Sequence, residues 1–120
     1  MSTENCIFCK IVRGEIPSRK VYEDDEILAF HDIHPVAPVH LLAVPKAHIE
    51  SMSTLEDKHA GVVGRMMVLA QRLAADQGST EGFRVICNTG RVGRQDVFHL
   101  HLHVLGGPDP LPGMIARSHG

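Results

Sequence analysis

Residues 98–105 of this chain alternate apolar side chains with histidines: Phe98-His99-Leu100-His101-Leu102-His103-Val104-Leu105. Successive side chains of a β-strand point to opposite faces, so the alternation predicts a strand over residues 98–105 with one apolar face and one histidine face. Thr, Lys or Glu would serve a merely polar face equally well, and three histidines in register are improbable by chance. The pattern therefore indicates that the histidine face carries chemistry.

The residues around this strand predict short elements of both kinds. Asn5 is a favourable N-cap for a helix over residues 6–13, which Gly14 would end. Short apolar runs bounded by turn residues, prolines or glycines predict further strands, at residues 21–23, 27–31, 41–44 and 83–87. Clustered prolines and glycines predict irregular loops, at residues 34–38, 90–95 and 106–113.

One longer helix is predicted between residues 53 and 78. Ser53 and Glu56 match a capping box, so the helix should begin near Ser53 or Thr54, and Gly78 should stop it. A stripe at three- and four-residue spacing marks its buried face: Leu55, His59, Val62, Val63, Met66, Leu69, Ala70, Leu73 and Ala74. These elements predict an α+β fold, in which one long helix crosses an antiparallel sheet and a short helix precedes it.

Composition restricts the class of protein. The chain has 120 residues, 43% of them hydrophobic, which suits a single domain over residues 1–120 whose residues 106–120 form an irregular C-terminal tail. A net charge of −2 offers no basic surface for nucleic acid, and no apolar run approaches the roughly 20 residues of a membrane span. The N-terminus does not look like a signal peptide and the cysteine count of three is odd, so a reducing cytoplasm is expected.

The histidine row suits two chemistries. Neutral imidazoles are good zinc ligands, and two histidines separated by one residue on a strand can share a metal ion. A neutral imidazole is also a nucleophile at pH 7, and a second histidine beside it can act as an acid or stabilise charge. The row alone does not decide between a metal-dependent hydrolase and histidine nucleophilic catalysis.

The whole chain, however, resembles the histidine-triad superfamily. Residues 99–105 match its signature, in which three histidines alternate with apolar residues before a final apolar pair. Further matching segments follow in the same order along the chain: Ile16-Pro17, Tyr22-Glu23-Asp24, Phe30-His31-Asp32-Ile33, Pro35, Ala37-Pro38, His40, Val44-Pro45-Lys46, Asn88, Gln95, Val97-Phe98 and Gly106-Gly107. This combination looks like the Hint branch, which are nucleoside phosphoramidate hydrolases.

The resemblance implies roles for individual histidines. His101 matches the nucleophile that attacks the α-phosphorus and forms a covalent nucleotidyl-histidine, later hydrolysed by water. His103 matches a histidine that donates to the phosphate or the leaving group. His40 matches a fourth active-site histidine that tunes the protons near the nucleophile, although it could simply open a strand. The expected products are a purine nucleoside monophosphate, such as AMP, and an amine.

The resemblance also implies a nucleotide site. Asp32 matches a carboxylate that accepts hydrogen bonds from the ribose hydroxyls, although an aspartate before His34-Pro35 could equally cap a turn. Asn88 matches a side-chain donor, and Gln95, Asp96 and Val97 lie in the segment that faces the phosphate. Apolar residues that match the base-binding wall could each be ordinary core residues: Ile7, Phe8, Ile11, Phe30 and Ile33. No Walker-type lysine loop is present, so no catalytic cofactor is expected.

The cysteine pair Cys6 and Cys9 resembles the bacterial members of the superfamily. In those members the two cysteines bind structural zinc together with two histidines, which correspond here to His48 and His99. Two thiolates and two imidazoles would close a tetrahedral site. The pair could instead be two reduced thiols on one helix face, and the resemblance leaves open whether His99 is a ligand or a member of the catalytic relay.

Two positions depart from the family pattern. Arg94 stands where Hint relatives usually have glycine, and Asp96 stands where they have serine or glutamate. An ionised aspartate cannot donate a hydrogen bond to a leaving group, which leaves the leaving-group preference open. The family also implies a homodimer. The alternative functions are a dinucleoside polyphosphate hydrolase or nucleotidyl transferase, and a nucleotide-binding scaffold without catalysis.

Overall fold

The computed structural model describes residues 3–115. It contains two α-helices, α1 (Ile7–Val12) and α2 (Ala60–Asp76), and five strands: β1 (Lys20–Glu23), β2 (Ile27–His31), β3 (Val39–Pro45), β4 (Arg84–Ile86) and β5 (Leu102–Gly106). Three short 3₁₀ turns complete the elements: Thr3–Asn5, Met52–Thr54 and Asp57–His59. No helix in the described range is long and apolar enough to cross a lipid bilayer.

The strands form one antiparallel sheet in the order β1-β2-β3-β5-β4. Because side chains alternate along a strand, the two faces of the sheet bury different residues. Ile27, Leu41 and Val104 pack with the apolar stripe of α2 on one face. Leu28 and Phe30 pack with α1 on the other face. The predicted α+β architecture, with a long crossing helix and a short N-terminal helix, is confirmed.

The predicted strand over residues 98–105 begins later than expected, at Leu102. The β3–β5 register pairs Ala43 with Leu102, and its continuation would place Pro45 opposite Leu100. Proline has no N–H to offer a ladder, and the Pro45 carbonyl instead lies 2.7 Å from Nε2 of His99. Residues 98–101 therefore run beside the sheet, and Phe98, predicted on the apolar face, is 37% exposed.

Both helices also begin at other residues than predicted. Cys6, and not Asn5, caps α1, because its Sγ accepts a hydrogen bond from the Cys9 N–H. The capping box near the long helix is formed by Ser51 and Thr54 instead of Ser53 and Glu56. It encloses one 3₁₀ turn, Glu56 and His59 close a second turn, and α2 starts only at Ala60.

The predicted ends of the long helix and of the sheet fit the structure more closely. α2 ends at Asp76, and Gly78 adopts a φ of 101°, a conformation that disfavours any side chain. The buried stripe of α2 comprises Met66, Leu69, Ala70, Leu73 and Ala74, all of them predicted. Val62 and Val63 are only partly buried, and Leu55 and His59 lie before the helix, so the first part of the predicted stripe was wrong. Gly106, predicted to open the irregular tail, is the last residue of β5, and residues 107–115 contain neither helix nor strand. Residues 116–120 of the predicted tail lie outside the described residues.

Candidate active site

A groove opens on the α1 face of the sheet. Its volume is about 220 Å³, and apolar side chains line it together with histidines and carboxylates: Ile7, Phe8, Ile11, Ile16, Pro17, Ser18, Phe30, His31, Asp32, Ile33, Leu42, Asp96, Val97, His101 and His103. The structure thus collects the predicted nucleotide-binding and catalytic residues in one place, except for His40, His99, Asn88 and Gln95. α1 and β2 supply the apolar part, while the segment before β5 supplies His101.

The hydrogen bonds of His101 determine which of its nitrogens is free. Its Nδ1 lies 2.8 Å from the main-chain carbonyl of His99. A carbonyl only accepts, so Nδ1 carries the proton and the neutral ring keeps its lone pair on Nε2. That Nε2 lies 3.6 Å from a carboxylate oxygen of Asp96. The Phe8 ring packs edge to face against the imidazole of His101, with the ring centroids 5.1 Å apart.

A second chain of hydrogen bonds determines the proton position on His103. The main-chain N–H of Val36 donates to Nδ1 of His40 at 3.1 Å, so neutral His40 carries its proton on Nε2. This Nε2 lies 2.9 Å from Nδ1 of His103 and 3.3 Å from a carboxylate oxygen of Asp32. Nδ1 of His103 therefore accepts, and neutral His103 carries its proton on Nε2. His101 offers a lone pair and His103 offers a proton, with ring centroids 5.0 Å apart.

Burial keeps the imidazoles of His40 and His103 neutral. It lowers the pKa of His40, against the opposing effect of the Asp32 charge. It also lowers the pKa of His103, and the neighbouring His101 and His40 add to this effect. Both rings are consequently uncharged at pH 7, which is the state that the hydrogen-bond pattern requires.

Two of the predicted nucleotide-binding residues, Asp32 and Gln95, differ in their surroundings. Asp32 accepts the His34 N–H at 2.7 Å, which is the turn-capping interaction, and still lines the groove with its carboxylate. Gln95 points away from the groove: its amide N–H groups donate to the carbonyls of Glu50 and Val97, and its oxygen accepts the Gly90 N–H. Gln95 thus holds the loop in place, and a direct contact of this side chain with the nucleotide is not supported.

Asn88 lies just before the loop over residues 90–95, and Arg94 lies within it. Asn88 lies two residues after Ile86, the last residue of β4. Ile86 pairs with His103, but Asn88 does not line the groove. Arg94 has a φ of 61°, and among the described residues no other non-glycine has a positive φ. The glycine usual at this position in Hint relatives suits that conformation better, because a side chain there costs about 1–2 kcal/mol.

A separate cluster beside the groove is formed by Cys6, Cys9, His48 and His99. The donor atoms of Cys6, Cys9, His48 and His99 all lie within 4.8 Å of one another. Sγ of Cys6 lies 3.3 Å from Nδ1 of His99, and Sγ of Cys9 lies 3.3 Å from Nδ1 of His48. Tetrahedral zinc would separate sulfur and nitrogen ligands by about 3.5 Å, given bonds of roughly 2.3 and 2.0 Å. The residues present therefore fit a zinc ion.

The protonation chemistry of this cluster also suits a metal. Nε2 of His99 donates to the Pro45 carbonyl, which leaves Nδ1 as the unprotonated nitrogen facing the thiols. Burial lowers the pKa of His99 to about 4, so the ring is neutral. Burial and the neighbouring Cys6 raise the pKa of Cys9 to about 11, so this thiol is protonated without a cation, and metal binding would have to release its proton.

Sequence reasoning missed the main-chain partners of the histidines. The Val36 N–H, the His99 carbonyl and the Pro45 carbonyl decide where each imidazole proton lies. A local signal exists only for Val36, since the flanking Pro35 and Pro38 hold its loop away from a ladder and leave the N–H free to donate. The carbonyl contacts depend on how distant segments pack.

Known proteins resemble this chain along most of its length. Residues 5–119 match the family model described as "Scavenger mRNA decapping enzyme C-term binding". The chain is 46% identical to the purine nucleoside phosphoramidase of Escherichia coli over 116 residues, covering 96% of this chain and 97% of that protein. It is 48% identical to protein HitA of Neisseria gonorrhoeae over 105 residues, covering 88% and 98%. A histidine triad protein from Clostridium difficile superposes with a TM-score of 0.88 at 49% identity, covering 96% of this chain and 100% of that one. The chain belongs to the histidine-triad superfamily.

Proposed function

We propose that this protein hydrolyses purine nucleoside 5′-phosphoramidates to a nucleoside monophosphate and an amine, through a covalent nucleotidyl-histidine at His101. The observation that carries the proposal is the complementary pair in the groove: the contact of Nδ1 with a carbonyl leaves Nε2 of His101 free, and beside it the contact with His40 leaves the proton of His103 on Nε2. The name of the Escherichia coli relative, purine nucleoside phosphoramidase, supports the same activity.

The first step is attack by Nε2 of His101 on the α-phosphorus, with cleavage of the phosphorus–nitrogen bond. The ring becomes cationic as the new bond forms, and the His99 carbonyl at Nδ1 stabilises that charge. His103 carries its proton on the nitrogen that His40 does not occupy, so it donates a hydrogen bond to a phosphate oxygen, while the departing nitrogen takes a proton from solvent and leaves as the amine. Water then hydrolyses the nucleotidyl-histidine and regenerates His101.

The rest of the groove would hold the nucleoside. Phe8 and Phe30 pack edge to face, with centroids 5.8 Å apart, and form an apolar wall suited to a purine. Ile33 is 82% exposed at the rim and would lose water contact when a base binds. The carboxylate of Asp32 retains acceptor capacity for the ribose hydroxyls.

The group Asp32, His40 and His103 is compact enough to be considered for a metal-dependent mechanism. A ligand nitrogen must be unprotonated, however, and the Val36 N–H keeps the proton of His40 on Nε2, the nitrogen that faces the group. The hydrogen bonds therefore favour a proton-positioning role for these residues over the rival metal-dependent hydrolase.

The experiment that tests the activity compares adenosine 5′-phosphoramidate with a diadenosine polyphosphate at pH 7, on zinc-loaded protein with no free divalent cation added. We expect AMP release from the phosphoramidate to be at least about tenfold faster in kcat/KM, a preference that the name of the Escherichia coli relative supports. Faster cleavage of the polyphosphate would transfer the proposal to that branch. Binding of AMP without cleavage of either compound would favour the scaffold.

Substitutions of His40 test the role of its Nε2 proton. Glutamine can place an N–H donor near the position of Nε2, whereas asparagine reaches only the position of Nδ1, so His40→Gln should retain far more activity than His40→Asn. We expect a loss of kcat of about 100-fold for His40→Asn and of no more than about tenfold for His40→Gln. Equal losses, measured as single-turnover AMP release, would contradict the donor role.

Three further properties accompany the proposal. We propose that the Cys6 cluster binds structural zinc; with four protein ligands the bound ion would stabilise the fold and leave no open position for substrate. The protein would work in the reducing cytoplasm, since zinc binding requires both thiols. It would form a homodimer, as in the family, and the exposed Met67 and Val68 of α2 support an apolar contact.

A further inference from the structure

We propose that the metal cluster positions the nucleophile as well as stabilising the fold, because His99 connects the two sites through its own ring and carbonyl. This inference rests on the proposed function of His101. It assigns His99 the role of a positioning residue: its side chain belongs to the metal cluster, while its main chain orients His101.

Both ring nitrogens and the main-chain carbonyl of His99 have specific partners. Nδ1 faces the thiols of Cys6 and Cys9 at 3.3 and 3.5 Å, and Nε2 donates to Pro45 at 2.7 Å. The His99 carbonyl accepts the Nδ1 proton of His101 at 2.8 Å. The ring is completely buried. A displacement of this ring would therefore move the carbonyl that holds the nucleophile.

The sheet does little to hold this segment. β5 begins at Leu102, so residues 98–101 lack the ladder that fixes His103 between β3 and β4. The Leu100 N–H donates to the carbonyl of Ile49 and ties the segment at one point. Anchoring of the His99 ring takes the place of a ladder, which explains how an irregular segment can present a catalytic side chain rigidly.

Phe8 provides a second connection between the sites. It lies between Cys6 and Cys9, and its ring contacts both His99 and His101, at centroid distances of 5.9 and 5.1 Å. α1 has only six residues, far fewer than an isolated helix needs to be stable. The thiols that bind the metal at its N-terminus therefore also hold Phe8 against the nucleophile.

The test removes one ligand of the metal cluster, His48. His48 contacts Cys9 and His99 but does not line the groove, so His48→Ala weakens metal binding without touching His101. Leu73→Ala is the matched control, because it destabilises the core on the opposite face of the sheet. Both variants are compared with zinc-loaded wild type and with chelated wild type, below their unfolding temperatures.

The first readout needs no substrate: the hydrogen-bonded Nδ1 proton of His101, observed by ¹H–¹⁵N NMR and assigned by its absence in His101→Gln. We expect this signal in zinc-loaded wild type and in Leu73→Ala, and its loss or broadening in His48→Ala and in chelated wild type. We also expect kcat of His48→Ala to fall by at least about tenfold, and KM to change less.

An unchanged signal and kcat in metal-depleted protein would overturn the inference and leave the cluster a purely structural role. An equal loss of both in Leu73→Ala would overturn it as well, because general destabilisation would then suffice. A signal that follows the metal in a protein that cleaves no phosphoramidate would support the positioning role and reject the proposed function, so the two failures are distinguishable. If His48→Ala does not fold, the chelated wild type supplies the same comparison.

Discussion

Replacing His101 by alanine is expected to lower AMP release from adenosine 5′-phosphoramidate by about 10⁴-fold or more, because the substitution removes the nucleophile itself. His103 cannot take over the attack, since the chain from Val36 through His40 keeps the proton on its Nε2. Its Nδ1 is occupied by His40. Because the ring is buried and contacts Phe8, the unfolding temperature of the variant is measured together with its activity.

The measurement is single-turnover AMP release, together with mass spectrometry of acid-quenched or rapidly trapped protein. Wild type should carry a nucleotidyl adduct on a peptide that contains His101, and the variant should carry none. His59→Ala is the control, because His59 lies in a 3₁₀ turn before α2 and does not line the groove. Its activity should remain within about twofold of wild type, as expected for a surface substitution remote from the site. Full activity of His101→Ala would rule out the covalent mechanism.

The largest expected effect on stability comes from Gly106→Ala at the end of β5. A Cβ built at this position would lie 2.1 Å from Oγ and 2.7 Å from Cβ of Ser79. Ser79 is buried, and its hydroxyl donates to the carbonyl of Gly82 and accepts the N–H of Gly107, so it cannot rotate away without losing both bonds. Overpacking combined with the broken hydrogen bonds should lower the free energy of unfolding by about 3 kcal/mol.

Thermal or urea unfolding of the variant measures this loss, and a Tm roughly 10 °C below wild type is expected. Gly64→Ala is the matched control: beyond the neighbouring backbone of its own helix, no described heavy atom lies within 4 Å of its added Cβ. Because the site is in α2, the substitution should stabilise the protein by about 0.5–1 kcal/mol. Adding Ser79→Gly to Gly106→Ala should relieve the collision, so the double variant should be more stable than the sum of the two losses predicts. Strict additivity would show that Ser79 is not the obstacle.

Much of the fold follows from local sequence patterns. The apolar stripe of α2 and its end before Gly78 depend on spacing within a single helix, and the hairpin of β1 and β2 depends on two runs beside one turn. Such patterns are visible in sequence because their partners are close in the chain. The predicted start of α2 was wrong because residues 52–54 and 57–59 form two separate 3₁₀ turns, and the capping pattern in the sequence does not show whether one helix or separate turns follow it.

The position at which β5 begins could not be predicted from the alternation of residues 98–105. The alternation describes which side chains share a face, but a ladder also requires a donor on the neighbouring strand. Pro45 lies opposite the missing part of the strand and has no N–H. That pairing depends on the register of β3 and β5, which the sequence does not contain.

By itself the sequence determined the chemical inventory of this protein: the three alternating histidines, the cysteine pair, and the apolar segments that build the sheet and α2. The tertiary structure alone decided which imidazole nitrogen carries a proton and which faces the thiols. Those choices depend on partners far away in the chain, 63 residues between His40 and His103 and 93 between Cys6 and His99. An imidazole is chemically ambiguous until a donor or acceptor reaches one of its nitrogens, and only folding brings these partners into hydrogen-bond distance.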